Sequence, residues 1–163
     1  VGNNLNMAQG FITIEDGSCY ISSWRAYDEI IRIVANELSI NKKGLELSIW
    51  LSKKVPKEYK LNDSNQWGTG FIDQESGKMI IGKDLDLRGL NEQNQEIFWN
   101  GLQNGFEKLI NNELKTKFNN DAFKTTVKRL LEMRKLSLLN ENPLEHSDLK
   151  MIPEFEGVIN LNE

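Results

Sequence analysis

One cysteine, one histidine and three prolines deprive this chain of several common chemistries. Cys19 alone closes no internal disulfide, which fits a reducing compartment. His146, between Glu145 and Ser147, is far in sequence from Cys19. Neither a Cys/His dyad nor a Ser-His-Asp triad therefore has its material, and structural zinc lacks ligands. His146 reads as a surface histidine. Long apolar runs are also missing: none approaches the ~20 residues of a membrane span. No basic-then-apolar signal segment opens the chain. A cytoplasmic protein with no membrane partner is expected. Glycine-rich phosphate loops are lacking too. Gly68-Thr69-Gly70 has no third glycine, following helix or P-loop lysine, so neither a nucleotide nor any other cofactor is expected. Positive charge is short as well: 20 Lys/Arg against 24 Asp/Glu give a net −4. That balance argues against direct nucleic-acid binding and favours a basic partner. The Lys/Arg side around Lys124, Lys128, Arg129, Arg134 and Lys135 accordingly reads as a solvated helix face.

What the chain does have is the make-up of an ordinary globular protein. Its 163 residues are 39% hydrophobic and 27% charged, enough for one core without staples. Residues 1–6 carry no pattern and are expected to be a disordered or cloning-derived extension ahead of Met7. A single α+β domain over 7–163 is expected to follow, with an extended tail over 140–163. Its architecture should be an antiparallel sheet built from hairpins, packed against about three amphipathic helices.

The hairpins are readable locally. Phe11-Ile12-Thr13-Ile14 and Cys19-Tyr20-Ile21 flank Glu15-Asp16-Gly17-Ser18, and Asp-Gly is a strong hairpin signal. Phe71-Ile72 and Met79-Ile80-Ile81 flank a second turn centred on Gln74-Glu75-Ser76-Gly77. Asp84-Leu85-Asp86-Leu87 alternates as a half-buried strand does, and Gly89 ends it. After Ser22-Ser23, an apolar stripe of Trp24, Tyr27, Ile30, Ile31, Val34 and Leu38 predicts a helix, with Arg25, Asp28, Glu29, Arg32 and Glu37 opposite. Residues 45–51 alternate like a strand, yet Leu47, Trp50, Leu51 and Val55 share a helical face. A short helix before Pro56 is preferred. Asn91 caps a long helix with Phe98, Leu102, Phe106, Leu109 and Ile110 inward. A further helix after Asn119-Asn120-Asp121 buries Phe123, Val127, Leu130, Leu131 and Leu138. The tail, punctuated by Pro143 and Pro153, should pack through Leu149, Ile152, Phe155 and Ile159.

Charge is unevenly spread. Residues 103–139 hold eight Lys/Arg and four Asp/Glu; residues 140–163 hold one lysine and six acids. Helix and tail either complement each other within the fold or form a partner surface. Acids also gather at the second hairpin: Asp73, Glu75, Asp84 and Asp86. Asp84-Leu85-Asp86 resembles the Asp-x-Asp metal pair of some sugar transferases, since alternate strand residues project to one side. The alternative is a charged strand flank that discourages edge pairing. No metal site is assigned. Trp24 and Trp99 sit in helical patterns and read as core, whereas Trp67 follows a polar loop and reads as an exposed anchor.

Two blocks, GFITIEDGSCYISSWRAYDEII (Gly10 to Ile31) and WGTGFIDQESGKMIIGKDLDLRGLNEQNQEIFW (Trp67 to Trp99), resemble small immunity proteins of bacterial polymorphic-toxin systems, particularly contact-dependent growth inhibition. The layout over Gly10 to Gly157 is similar too: strand pair, Trp-bearing helix, hairpin, Asp-Leu-Arg segment, Phe-Trp helix and proline-bearing tail. The resemblance implies a cytosolic, non-catalytic inhibitor that binds one cognate toxin domain 1:1, often a basic nuclease. No catalytic residue carries over. Charge steering then points to two candidate contact clusters. One is Trp67 with Asp73, Glu75, Asp84 and Asp86; the other is Glu145, Asp148, Glu154 and Glu156. The rival readings are a metal-dependent enzyme using Asp84 and Asp86, or a regulatory scaffold domain.

Overall fold

The computed structural model describes residues 9–54, 69–72, 79–114, 121–150 and 156–160. The extension over residues 1–6, Val55, Trp67, the turn acids Asp73 and Glu75, the break at Asn119-Asn120, and Ile152, Phe155 and Glu154 of the tail lie outside the described residues.

Strands β1 (Gln9–Thr13) and β2 (Ser18–Ser23) form the first hairpin. Its turn works as its sequence dictates: the Asp16 carboxylate accepts from Ser18 N at 2.7 Å, and Gly17 takes a φ of 84°. Helix α1 (Trp24–Leu38) starts where the Ser23 side chain accepts from Ala26 N. Helix α2 (Leu45–Ser52) follows after a 3-10 turn at Lys42–Gly44. β3 (Thr69–Ile72) and β4 (Met79–Asp86) make the second hairpin. A 3-10 turn at Leu87–Gly89 leads into α3 (Glu92–Ile110), capped by Asn91 on Asn94 N at 2.8 Å. α4 (Asp121–Leu138), two 3-10 turns and β5 (Gly157–Asn160) complete the described chain.

The sheet order is β3-β4-β1-β2-β5. The α+β class is as expected, but the sheet is mixed rather than antiparallel, because β1 and β4 run parallel with Ile12 opposite Leu85. Each hairpin is antiparallel, as a short turn requires. Joining the two through the α1–α2 crossover sets their inner strands side by side and parallel. The tail is not simply extended: its last described residues pair antiparallel with β2, Cys19 opposite Ile159.

Ile12, Tyr20, Leu85 and Val158 meet α1, α3 and α4 in one buried cluster. The α1–α3 crossing is close because Gly101 and Gly105, one turn apart, face α1. A Cβ at 105 would stand 2.2 Å from Ile33 Cγ2. Lys108 closes the same crossing on Glu37 at 2.8 Å. Details of the expected helix faces differ. Asp28 and Glu29, expected on the outer side of α1, are buried, whereas Ile110 and Leu138, expected inward, are 50% and 65% exposed. Met133 and Leu136 fill the inner side of α4 instead. Among the described residues, no helix is long and apolar enough to cross a membrane.

Candidate functional site

Strand alternation dictates the geometry at the end of β4. Leu85 is fully buried, so Asp84 and Asp86 both project to the other side of the sheet. The two carboxylates then part company. Asp86 accepts from Arg88 Nε at 2.9 Å, Arg88 Nη2 at 2.8 Å and the Arg88 amide at 3.0 Å. That grip holds its carboxyl below the usual aspartate range. Asp84 is exposed and has no hydrogen-bond or ion-pair partner among the described residues. Partial burial of its inner side, then the charge of Asp86, pushes its carboxyl above the usual range; Arg88 and Lys54 offset this in part. Two strands across, on β2 opposite Thr13, Cys19 is fully buried, its thiol pushed up to about 11 by burial and further by Asp84 and Asp86. Among the described residues, no three His, Cys, Asp or Glu side chains come together as a cation site, so Asp84 and Asp86 stand as a pair.

Lys54 connects these acids to α2. This helix packs inward through Leu47 and Leu51, and Ser48 Oγ donates to Ala35 O at 2.6 Å. Its other side is apolar as well. Leu45 is 45%, Ile49 51% and Trp50 38% exposed, and Ile40 beside it is 76% exposed. Lys54 Nζ lies 4.3 Å from the centre of the Trp50 ring, and its charge is a minor favourable influence on the Asp84 carboxylate. Spacing alone groups Trp50 with the buried side of its helix, yet the residue is 38% exposed. The signal for its exposure is present in LELSIWLS, which is apolar on more sides than one packing partner can cover.

The second acidic cluster is divided by the fold. Glu145 and Asp148 are exposed. Glu156 is half-buried, accepts from Thr126 Oγ1, and pairs with Arg129 Nη1 at 3.3 Å. Buried Arg129 also donates to Asp148 O and Lys150 O, both at 2.8 Å, and to Tyr20 Oη at 3.3 Å. Here the charge asymmetry between helix and tail is spent within the fold, in part. Of the remaining sequence candidates, Glu154, Trp67, Asp73 and Glu75 lie outside the described residues. His146 stands 3.5 Å from Glu141, near the surface.

A groove of about 400 Å³ runs between α3 and α4, lined by Trp99, Leu131, Leu138, Glu96, Arg134 and Lys135. Arg134 is held there by Glu15 at 2.9 Å and by the Trp99 ring at 5.6 Å. Trp99 itself is buried, as expected, with its indole N–H unpartnered. The structure thus sets Asp84 beside Asp86 on β4 and Lys54 against the Trp50 ring, with the Lys54 charge acting on Asp84, and leaves the tail acids elsewhere. No family model, curated protein or solved structure matches the chain.

Proposed function

We propose that this chain is a non-catalytic immunity protein of a bacterial contact-dependent growth inhibition system. It acts in the cytoplasm, binding one cognate toxin domain 1:1 and blocking the toxin's active site or its access to substrate. The toxin domain is basic, as a nuclease is. Two things support the reading: the sequence resemblance in the strand-pair and hairpin blocks, and one structural observation that carries the chemistry. Asp84 is an exposed carboxylate with no hydrogen-bond or ion-pair partner among the described residues, held beside a second carboxylate. Its charge is unfavourable where it stands, and a cationic group of a partner would relieve it. Glu145 and Asp148, both exposed, extend the acidic character to the far end of the sheet order without forming part of that pair.

The test is co-expression with the C-terminal domain of the adjacent toxin gene, scored by growth and co-purification. Rescue with a stable 1:1 complex is expected. Asp84→Lys should slow association by about tenfold and flatten its dependence on salt, because the steering attraction reverses sign. Glu145→Lys with Asp148→Lys reports on the second cluster in the same assay. A well-expressed, folded protein that fails to rescue growth would sink the immunity reading, and an affinity indifferent to both charge reversals would remove the acidic clusters as its contacts.

A further inference from the structure

The outward side of α2 is unusual for so short a helix. Its inner side already uses Leu47 and Leu51 against α1, yet Leu45, Ile49 and Trp50 face outward, with Ile40 beside them. Single exposed apolar residues are ordinary, whereas a contiguous group on one element marks a contact surface. Leu45 and Ile49 are one helical turn apart and therefore neighbours on the same face, with Trp50 adjoining. The face is edged by lysines at both ends: Lys42 and Lys43 before the helix, Lys53 and Lys54 after it, against one acid, Glu46. An apolar centre with a charged rim is the anatomy of a protein interface, with tryptophan as its commonest anchor.

We infer that the outward face of α2 is the apolar centre of the contact surface to which Asp84 belongs. It takes a protein partner whose matching surface is apolar, edged by acids, and carries a cation set to meet Asp84. This inference rests on the immunity reading and assigns the chemistry of the partner's side of the contact. Lys54 is the joint: its ammonium lies over the Trp50 ring at 4.3 Å and is also felt by the Asp84 carboxylate. The rim selects among occupants. A second copy docked face to face about a two-fold axis would set lysine against lysine, whichever way the two helices run, so the face is not self-complementary. An anionic bilayer would attract the four lysines, but the same surface would press Asp84, Asp86 and Glu46 toward lipid phosphates. A mixed-sign rim fits a protein surface of complementary mixed sign.

The experiment measures the affinity of the full chain for the toxin domain encoded beside it, comparing Trp50→Ala, Ile49→Asp, Asp84→Lys and the control Ile110→Asp. Ile110 is an exposed apolar residue at the far end of α3. Trp50→Ala is expected to weaken binding by about 30-fold through faster dissociation, the behaviour of an interface hot spot. Ile49→Asp should weaken it comparably, and Ile110→Asp should change it less than about twofold. Lys42→Glu with Lys43→Glu should slow association, since partner acids would then be repelled. Thermal melts confirm that each variant is folded; Ile49→Asp, the more exposed site, serves if Trp50→Ala is not. If Asp84→Lys weakens binding while both α2 substitutions leave it unchanged, the α2 assignment is overturned and the immunity reading stands. If wild-type chain forms no complex, both fall together. Two controls on the isolated chain decide against the toxin domain as occupant of the α2 face: co-sedimentation with phosphatidylglycerol vesicles that Trp50→Ala abolishes, or a dimer that Ile49→Asp dissolves.

Discussion

Arg129 offers the sharpest test of how the C-terminal segment is held. Arg129 is 7% exposed, and its guanidinium donates to four acceptors on three separate pieces of chain: Tyr20 on β2, the carbonyls of Asp148 and Lys150, and Glu156 beside β5. Arg129→Ala leaves the Glu156 carboxylate without its cation and two carbonyls without donors. Removing one partner of a buried charged pair destabilises by about 3–5 kcal/mol. Summing four charge-assisted hydrogen bonds at about 1.5–3 kcal/mol each would give more, but that sum overshoots. The Glu156 side chain keeps 24% of its surface and can rehydrate, so the lower range is the better figure. At about 2–4 °C per kcal/mol for a chain of this size, the melting temperature should fall by about 10 °C.

Urea titration followed by circular dichroism measures the loss, with the midpoint moving and the slope preserved. A double-mutant cycle isolates the pair. Glu156→Gln should cost about 1–2 kcal/mol in the wild-type background and much less beside Arg129→Ala, because the partner is already gone. Arg129→Lys should recover only part of the loss, since a point charge cannot reproduce the planar fork that reaches two carbonyls at once. Hydrogen exchange at β5 adds a local readout: its amides should open more readily than those of β1 in every weakened variant. A loss below about 1 kcal/mol for Arg129→Ala, or equal Glu156→Gln effects in both backgrounds, would refute the account.

Three further outcomes follow from other parts of the molecule. Gly105→Ala places a methyl 2.2 Å from Ile33 Cγ2; overpacking should outweigh the ~1 kcal/mol gain in helix propensity and give a net loss of about 1–2 kcal/mol by thermal melting. Gly101→Ala, whose new methyl would stand 3.0 Å from Leu38 Cδ2 and 3.4 Å from Val34 Cγ1, should cost less than Gly105→Ala, and the opposite ranking would contradict the crossing geometry. Cys19, with its thiol pushed up to about 11 from 9.0, should resist iodoacetamide at pH 8 until urea unfolds the chain. The same shift has a stability sign: the folded state keeps the proton that the unfolded state releases, so up to about 2–3 kcal/mol is lost as pH rises from about 9 to 11. Cys19→Ala should flatten that alkaline slope in pH-dependent urea titrations. Asp84, its carboxyl raised, loses charge at higher pH than an ordinary aspartate, so affinity for the toxin domain should begin to fall earlier on acidification than it does for Asp84→Asn, which has no charge to lose.

The elements that were legible in the sequence are those whose signal is local. Asp16-Gly17 fixes the first hairpin, Ser23 and Asn91 cap their helices, and Asp84-Leu85-Asp86 declares its own inside and outside. What was not legible depends on pairing across distance. Nothing within either hairpin states that β4 lies parallel to β1, because that contact is made only after the α1–α2 crossover has closed. Val158 and Ile159 are two apolar residues in a polar tail until β2 gives them a partner strand. Ile110 and Leu138 satisfy the helical period yet stand exposed, since the period gives a face and not the point where the neighbouring helix stops covering it.

The candidate site follows the same division, and for a physical reason. Each component is an apparent error by the rules that build a core: a carboxylate beside a carboxylate, a tryptophan turned partly outward, a helix apolar on both sides. The sequence shows the paired carboxylates as a local oddity, whereas helical spacing alone puts Trp50 on the face of Leu47 and Leu51. Only the fold sets Lys54 against the Trp50 ring and lets its charge act on Asp84, through α2 packing on α1 and β4 entering beside β1. Sequences specify structures most clearly where every local preference agrees with the global fold, and binding surfaces are where that agreement is relaxed. On the proposed reading, in which the chain works by contact, the departures from good packing on one surface are therefore the proper place to look for its partner.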